Sequence, residues 1–201
     1  MEEKKDNKEL NERIENLNNQ LNYILLANEI SSILNYKNDI LDHLIKHNDG
    51  TVITIMQDVF INYVCIRICA IWEEPTKGHD EKSIPSIIKL INHNKTKDDY
   101  LLNHINRTYN IIIKCKILKQ MKNHRNKHIA HTLEETRTEK TTKDRETLRL
   151  QYGFESKIIK YTSKILNDIN IYINKENISP DLTAEEGRSL AKAFFGKLCK
   201  K

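Results

Sequence analysis

Apolar residues recur along this chain at helical intervals. Leu10, Ile14, Leu17, Leu21 and Ile24 step by four and three among Asn, Glu and Arg, and Ala27, Ile30, Leu34, Leu41 and Leu44 carry the spacing on, predicting helix over 7–47. The first five form a short coiled-coil seam. Two readings of it stand side by side: a helix packed on its own bundle, or an N-terminal arm over residues 1–22 that joins two copies. Asn48-Asp49-Gly50 predicts a stop, with Gly50 left-handed after the helix. From Thr51 to Glu74, Ile55, Val59, Tyr63, Ile66 and Ala70 fall on one face, and Val52, Cys65, Ile68, Cys69 and Trp72 widen it. The run is too long, and its polar residues too irregular, for strand alternation, so it reads as a central helix.

Residues 73–82, with Pro75, Gly78 and many charges, read as a loop. A short helix follows, capped by Ser83, with Pro85 in its first turn and Ile87, Ile88, Leu90 and Ile91 on its apolar side. Thr96 and Asp99 cap a long helix expected to run to about His131, with Tyr100, Leu101, Ile105, Tyr109, Ile112, Cys115 and Leu118 facing the core. Residues 132–145, charged and Thr-rich, read as a connection. Helical spacing returns over 146–175 with Leu150, Phe154, Ile158, Tyr161, Ile165, Ile169 and Ile173. Ser179-Pro180 breaks it. Thr183 and Glu186 then form a capping-box pattern ahead of Leu190, Ala193, Phe194 and Leu198. The last segment either docks on the bundle or offers Phe194-Phe195 to a partner. The fold predicted is all-α: an antiparallel bundle over 1–175 with a long N-terminal helix, and a short appended C-terminal helix over 176–201.

Composition supports long helices, since 201 residues include only 5 Gly and 3 Pro. That length suits one domain with an appended arm. A net charge of +5 permits contact with nucleic acid but does not select it, because abundant Lys, Asn and Ile also follow from AT-rich coding. Met1–Leu10 is charged and lacks a signal-peptide core, and no later apolar run is expected to reach the length of a membrane span. A cytoplasmic, soluble protein is expected. Cys65 and Cys69 lie four apart, Cys115 and Cys199 are distant, and no CxxC occurs, so buried reduced thiols are expected. There is no phosphate-binding glycine loop, nucleophile elbow or HExxH motif.

Groups able to do chemistry converge between Lys119 and Thr132. The stripe Ile113, Ile117, Met121 continues as His124, His128 and His131. At about 100° and about 1.5 Å per residue, Arg125, His128 and His131 share an arc of roughly 120° over about 9 Å. One phosphate can meet all three. Histidine supplies acid and base forms near neutrality, and a guanidinium holds two phosphate oxygens in fixed geometry.

The segment Arg125-Asn126-Lys127-His128-Ile129-Ala130-His131 resembles the signature of the HEPN superfamily, an arginine followed by a polar residue and a histidine several positions later. Asn126 and the Ala130-His131 ending resemble its abortive-infection, toxin-like branch. The resemblance covers roughly residues 20–175. It implies a metal-independent endoribonuclease that needs no cofactor and acts as a homodimer with two motifs facing across a two-fold axis. Carried onto this sequence, Arg125 and His131 are catalytic, Asn126 orients, and the products are a 2′,3′-cyclic phosphate and a 5′-hydroxyl. It also implies a role in defence, held in check by an inhibitory antitoxin. His128 shares the arc and is either acid-base group or phosphate ligand, with Lys127 and Lys122 as further RNA contacts. An acidic residue on an earlier helix often accompanies the motif, and Asp58, Glu73 and Glu74 are the candidates.

Two other readings fit the same residues. His124, His128 and His131 with Glu134 or Glu135 have metal-like spacing, although three ligands from one helix require distortion and Lys122 and Lys127 repel a cation. Alternatively, the bundle only binds or dimerises and the histidines are structural.

Overall fold

Thirty-four residues without Gly or Pro, Glu2–Asn35, wind into α1. There follow α2 (Asp39–His47), α3 (Gly50–Ile71), α4 (Ile84–His93), α5 (Tyr100–Ile113), α6 (Lys116–His124), α7 (Phe154–Asn174) and α8 (Ala184–Leu198). The structure, a computed structural model, describes residues 2–35, 39–47, 50–75, 82–93, 100–126, 153–175 and 184–198, and among these there is no strand. The architecture is the expected all-α bundle. Neighbouring α1 and α3, and α5 and α7, run antiparallel: Gln57 near the start of α3 donates to the Leu34 carbonyl at the end of α1, and His104 of α5 meets Asp168 of α7 while Trp72 beside Tyr109 reaches Thr162.

The seam Leu10, Ile14, Leu17, Leu21 and Ile24 is buried in the chain's own core, together with Val64, Ile68 and Trp72 from α3 and Ile158, Ile165 and Ile169 from α7. Polar ties fix the register. Arg13 donates to Ser86 at 2.9 Å, Asn28 to Ser156 at 3.2 Å, and Arg188 of α8 to the buried Glu29 at 3.0 Å. A second apolar cluster, Ile33, Leu34, Leu41, Leu44, Ile53, Ala191 and Phe195, seats α8 against α1 and α2.

Several sequence expectations change. The helix expected over 7–47 is two, α1 and α2. Gly50 opens α3 rather than closing α2, and its φ is not positive. The Ile55, Val59, Ile66, Ala70 face of α3 is exposed, and the opposite side, Ile61, Val64, Cys65, Ile68, Cys69 and Trp72, is the buried one. This helix is apolar nearly all round, so periodicity does not choose its inner side. By length and composition α3 is also long and apolar enough to cross a bilayer, with a third of its apolar window buried.

The long helix expected to follow Asp99 breaks at Cys115, which lies extended (φ −67°, ψ 143°) while its Sγ accepts from the Leu118 N–H at 3.4 Å. A cysteine thus caps α6 where neither Gly nor Pro marks a break. Tyr100 and Tyr161 are exposed rather than in the core. On α8 the buried positions are Gly187, Ala191 and Phe195, four apart, and the expected Leu190, Ala193 and Phe194 face outward. The cap expected at Ser83 forms, its Oγ accepting from the Ser86 N–H at 3.3 Å. Thr96, Asp99, Leu150, Ser179, Pro180 and Thr183 lie outside the described residues.

Candidate functional site

Leu118 and Met121 anchor α6 in the core, and Gln120 is buried beside them. That orientation leaves Lys122, His124 and Arg125 half-buried along the end of α3. Arg125 keeps helical dihedrals (φ −52°, ψ −50°), its N–H donating to the carbonyls of Met121 and Lys122. The arginine of the motif therefore rides on the last turn of α6.

Three contacts tie this turn to α3. Lys122 Nζ donates to the Trp72 carbonyl at 2.9 Å, supplying a cation where α3 ends and its carbonyls lack helical partners. His124 Nε2 lies 3.2 Å from Asn62 Oδ1, within hydrogen-bond reach. Arg125 Nη1 donates to Glu73 Oε2 in a short charge-assisted bond, and its Nε donates to Asn126 Oδ1 at 3.0 Å. Among the described residues, Nε and one Nη1 hydrogen are engaged, which leaves three of the five guanidinium hydrogens to receive an anion. Asn126 and Glu73 fix the plane in which they are presented.

The adjacent carboxylate is used differently. Glu74 Oε2 accepts from Lys89 Nζ at 3.0 Å and Oε1 from the Tyr109 hydroxyl at 2.9 Å. The Lys89 hydrogen bond, aided by Tyr109 against the opposing effect of burial, holds the Glu74 carboxyl below its usual range. Burial, reinforced by Glu74, pushes the Tyr109 phenol up to about 12. Trp72, fully buried, stacks near Tyr109 with ring centroids 6.3 Å apart and donates from Nε1 to Thr162 at 2.9 Å.

Beneath the pair lies the Cys69 thiol, pushed up to about 11 by burial even though Arg125 and Lys122 pull the other way. Cys65 is raised further by the same cause. Neither thiol is a nucleophile at neutral pH. Cys115 is free and half-buried, and Cys199 lies outside the described residues.

Of the residues nominated from sequence, Arg125, Asn126 and Lys122 meet at the end of α3, whereas Lys127, His128 and His131 lie outside the described residues. Among the three acids considered, Glu73 touches Arg125, Glu74 stands beside it in another network, and Asp58 is exposed on α3. Asn62, Tyr109 and Lys89 were not anticipated. No sequence periodicity signals Asn62, whose role depends on the packing of α6 against α3. Among the described residues no three His, Cys, Asp or Glu side chains gather to hold a metal ion.

An all-helical bundle with an Arg-Asn step on the last turn of a buried helix, set against a carboxylate from an earlier helix end, is the arrangement of a HEPN-type protein. Comparison with known families agrees: the AbiU2 model of the HEPN group matches residues 7–194. The chain belongs to the AbiU2 family of HEPN proteins, an abortive-infection-like branch. No curated protein and no solved structure matches it.

Proposed function

We propose that this protein is a metal-independent endoribonuclease that cuts RNA at a paired Arg/His site, acting as a toxin or defence effector. The observation that carries the reading is the clamped guanidinium of Arg125, held by Glu73 and Asn126 with donors to spare, six residues before His131 in a chain of this family. A phosphate in transit from diester to pentavalent state gains negative charge, and a preorganised guanidinium stabilises that charge without rearranging. His131 takes the 2′-hydroxyl proton or gives one to the leaving oxygen. One imidazole does not do both at once, so two copies facing each other supply acid and base. His128, Lys127 and Lys122 bind the RNA backbone. Lys122 does so only by leaving the Trp72 carbonyl. The protein works in the cytoplasm as a homodimer, and an inhibitory antitoxin restrains it.

A second reading draws on a specific observation: Lys122, His124 and Arg125 all have internal partners, as in a structural cluster of a non-catalytic binding module. The experiment that separates the two is cleavage of a mixed single-stranded and transfer-RNA substrate in excess chelator, with product ends read. Wild type is expected to cut and leave cyclic phosphate, and Arg125→Ala and His131→Ala each to lose at least about 100-fold in rate. Cutting abolished by chelation refutes the mechanism. Cutting retained in both variants does so as well.

A further inference from the structure

The positive charge of the chain is not spread evenly. Residues 100–126, which hold α5 and α6, contain six of the 33 Lys and Arg and none of the 28 Asp and Glu, so the rest of the chain, with 27 against 28, is near neutral. AT-rich coding enriches lysine throughout and does not single out these two helices. Beside them α7 adds to the excess. His104 of α5 meets Asp168 of α7 across their seam at 3.7 Å, and Ile111 and Tyr161 stand seven positions from these two, two turns along the same ridges. They therefore share one level on the outer side of the antiparallel pair, exposed by 62% and 46%. The same register sets Arg107 level with Lys164 about one turn to one side, and Lys114 level with Lys157 about one turn to the other, and all four are exposed. On each helix the three side chains fall within about 60° of one another, in tiers about 5 Å apart. The two acids of α7 stand off from this face. Glu155 is buried and accepts from the Gly153 N–H, and Asp168 is held by His104.

We infer that the outer face of α5 and α7 is a binding site for single-stranded RNA, with one base stacked on Tyr161 and phosphates held by Arg107 and Lys164 on one side and by Lys114 and Lys157 on the other. Cations that track a backbone around an aromatic ring that any base can stack on are what a single strand requires. An acidic protein would match the cations as well, and the central ring is what favours a strand with a base to stack. A membrane needs a broader apolar face than one Ile and one Tyr. Lys116, Lys119 and Asn123, spaced by three and four, continue exposed along α6 toward Asn126, so a strand anchored here has a basic path to the turn that bears Arg125. Residues 127–152, between α6 and α7, carry six bases and five acids and do not offset the charge of this face.

The inference deepens the nuclease reading, on which its choice of RNA rests, but its test reads binding alone. The probe is a fluorescein-labelled, single-stranded 2′-O-methyl oligonucleotide of about 12 residues, which lacks the hydroxyl that cleavage needs, and binding is followed by anisotropy. Full-length wild type is expected to bind it. R107A/K164A is expected to raise the dissociation constant at least about 10-fold and to lower its salt slope by about 1.4, the share of two phosphates. Tyr161→Ala is expected to raise it about 5-fold or more with the salt slope unchanged, because stacking releases no counterion, and Tyr161→Phe to stay within about twofold of wild type. Lys46→Ala, exposed on α2, keeps wild-type binding. All these positions are exposed, so helicity and melting temperature should not move. A wild type that fails to bind at about 0.1 M salt overturns the inference, and so does binding that R107A/K164A leaves intact. Tyr161→Ala binding like wild type overturns it too, and displacement of the probe by poly-glutamate would then assign the face to an acidic protein. Binding that depends on these residues in a chain that cuts no RNA refutes the nuclease alone. Cutting by a chain whose oligonucleotide binding ignores them refutes this site alone.

Discussion

Two adjacent carboxylates at the end of α3 meet two different fates. Glu73, a third exposed, closes on the half-buried Arg125, the arginine of the motif. Glu74, half exposed, turns to the other side and is shared between Lys89 and Tyr109. One position separates a group that holds the motif arginine from one that ties α3 to α4 and α5. The difference arises where α3 stops. Trp72 and Glu73 still donate backward, to Ile68, Cys69 and Ala70, and the chain then leaves the helix with the two side chains pointing apart. An acid next to a motif arginine is therefore informative only through the element that aims it.

The change expected to disturb this comparison most is Trp72→Ala. The ring is fully buried, stacks by Tyr109 and donates to Thr162, whose own hydroxyl donates to the Ile158 carbonyl at 2.7 Å. Its removal should cost about 3–5 kcal/mol of unfolding free energy and release both carboxylates. Chemical denaturation measures this, and a loss below about 1 kcal/mol would mean that Trp72 does not set the end of α3. Next comes Glu73→Gln. With Arg125 no longer clamped by charge, RNA cleavage should fall about 10- to 100-fold, while stability changes by about 1 kcal/mol because the pair is only partly buried. If cleavage rises instead, Glu73 competes with substrate for the guanidinium and does not aim it. Glu74→Gln should leave cleavage within about twofold. An equal loss in both variants would erase the distinction between them.

The helices were largely legible, because apolar spacing and local caps are written in neighbouring residues; Ser83 and Pro85 announced α4 by themselves. The break before α6 was not, since a cysteine thiol capping Leu118 has no strong sequence signature. Which side of α3 faces inward was also hidden. A helix apolar on both sides is oriented by its neighbours, and the sequence reading put Ile55, Val59 and Ile66 first, with Cys65, Ile68, Cys69 and Trp72, the side that is buried, only widening that face. In the candidate site, Arg125 and Asn126 were nominated from the motif, and their contact with each other follows from adjacency in the chain. Choosing Glu73 over Asp58 or Glu74 required tertiary placement, because residues past Ile71 no longer follow helical periodicity.

The smallest expected effect is in the pH dependence of the Glu74 network. Tyr109, raised to about 12 from an ordinary 10, contributes stability that is complete below pH 10 and lost as pH rises toward 12. Glu74, lowered, contributes stability that is complete above its ordinary value of 4.5 and lost as pH falls through its folded-state value. Solvent exposure of Glu74 and Lys89 keeps both terms small. The difference in melting temperature between wild type and Tyr109→Phe should accordingly stay constant from pH 7 to 9.5 and then shrink toward pH 12, where a tyrosinate would face the Glu74 carboxylate. Between wild type and Glu74→Gln the difference should hold from pH 6 to 8 and shrink below pH 4.5. Flat differences on both sides would show that the Glu74 contacts are too screened to matter. Glu73 would then be the single carboxylate at this helix end with an energetic role.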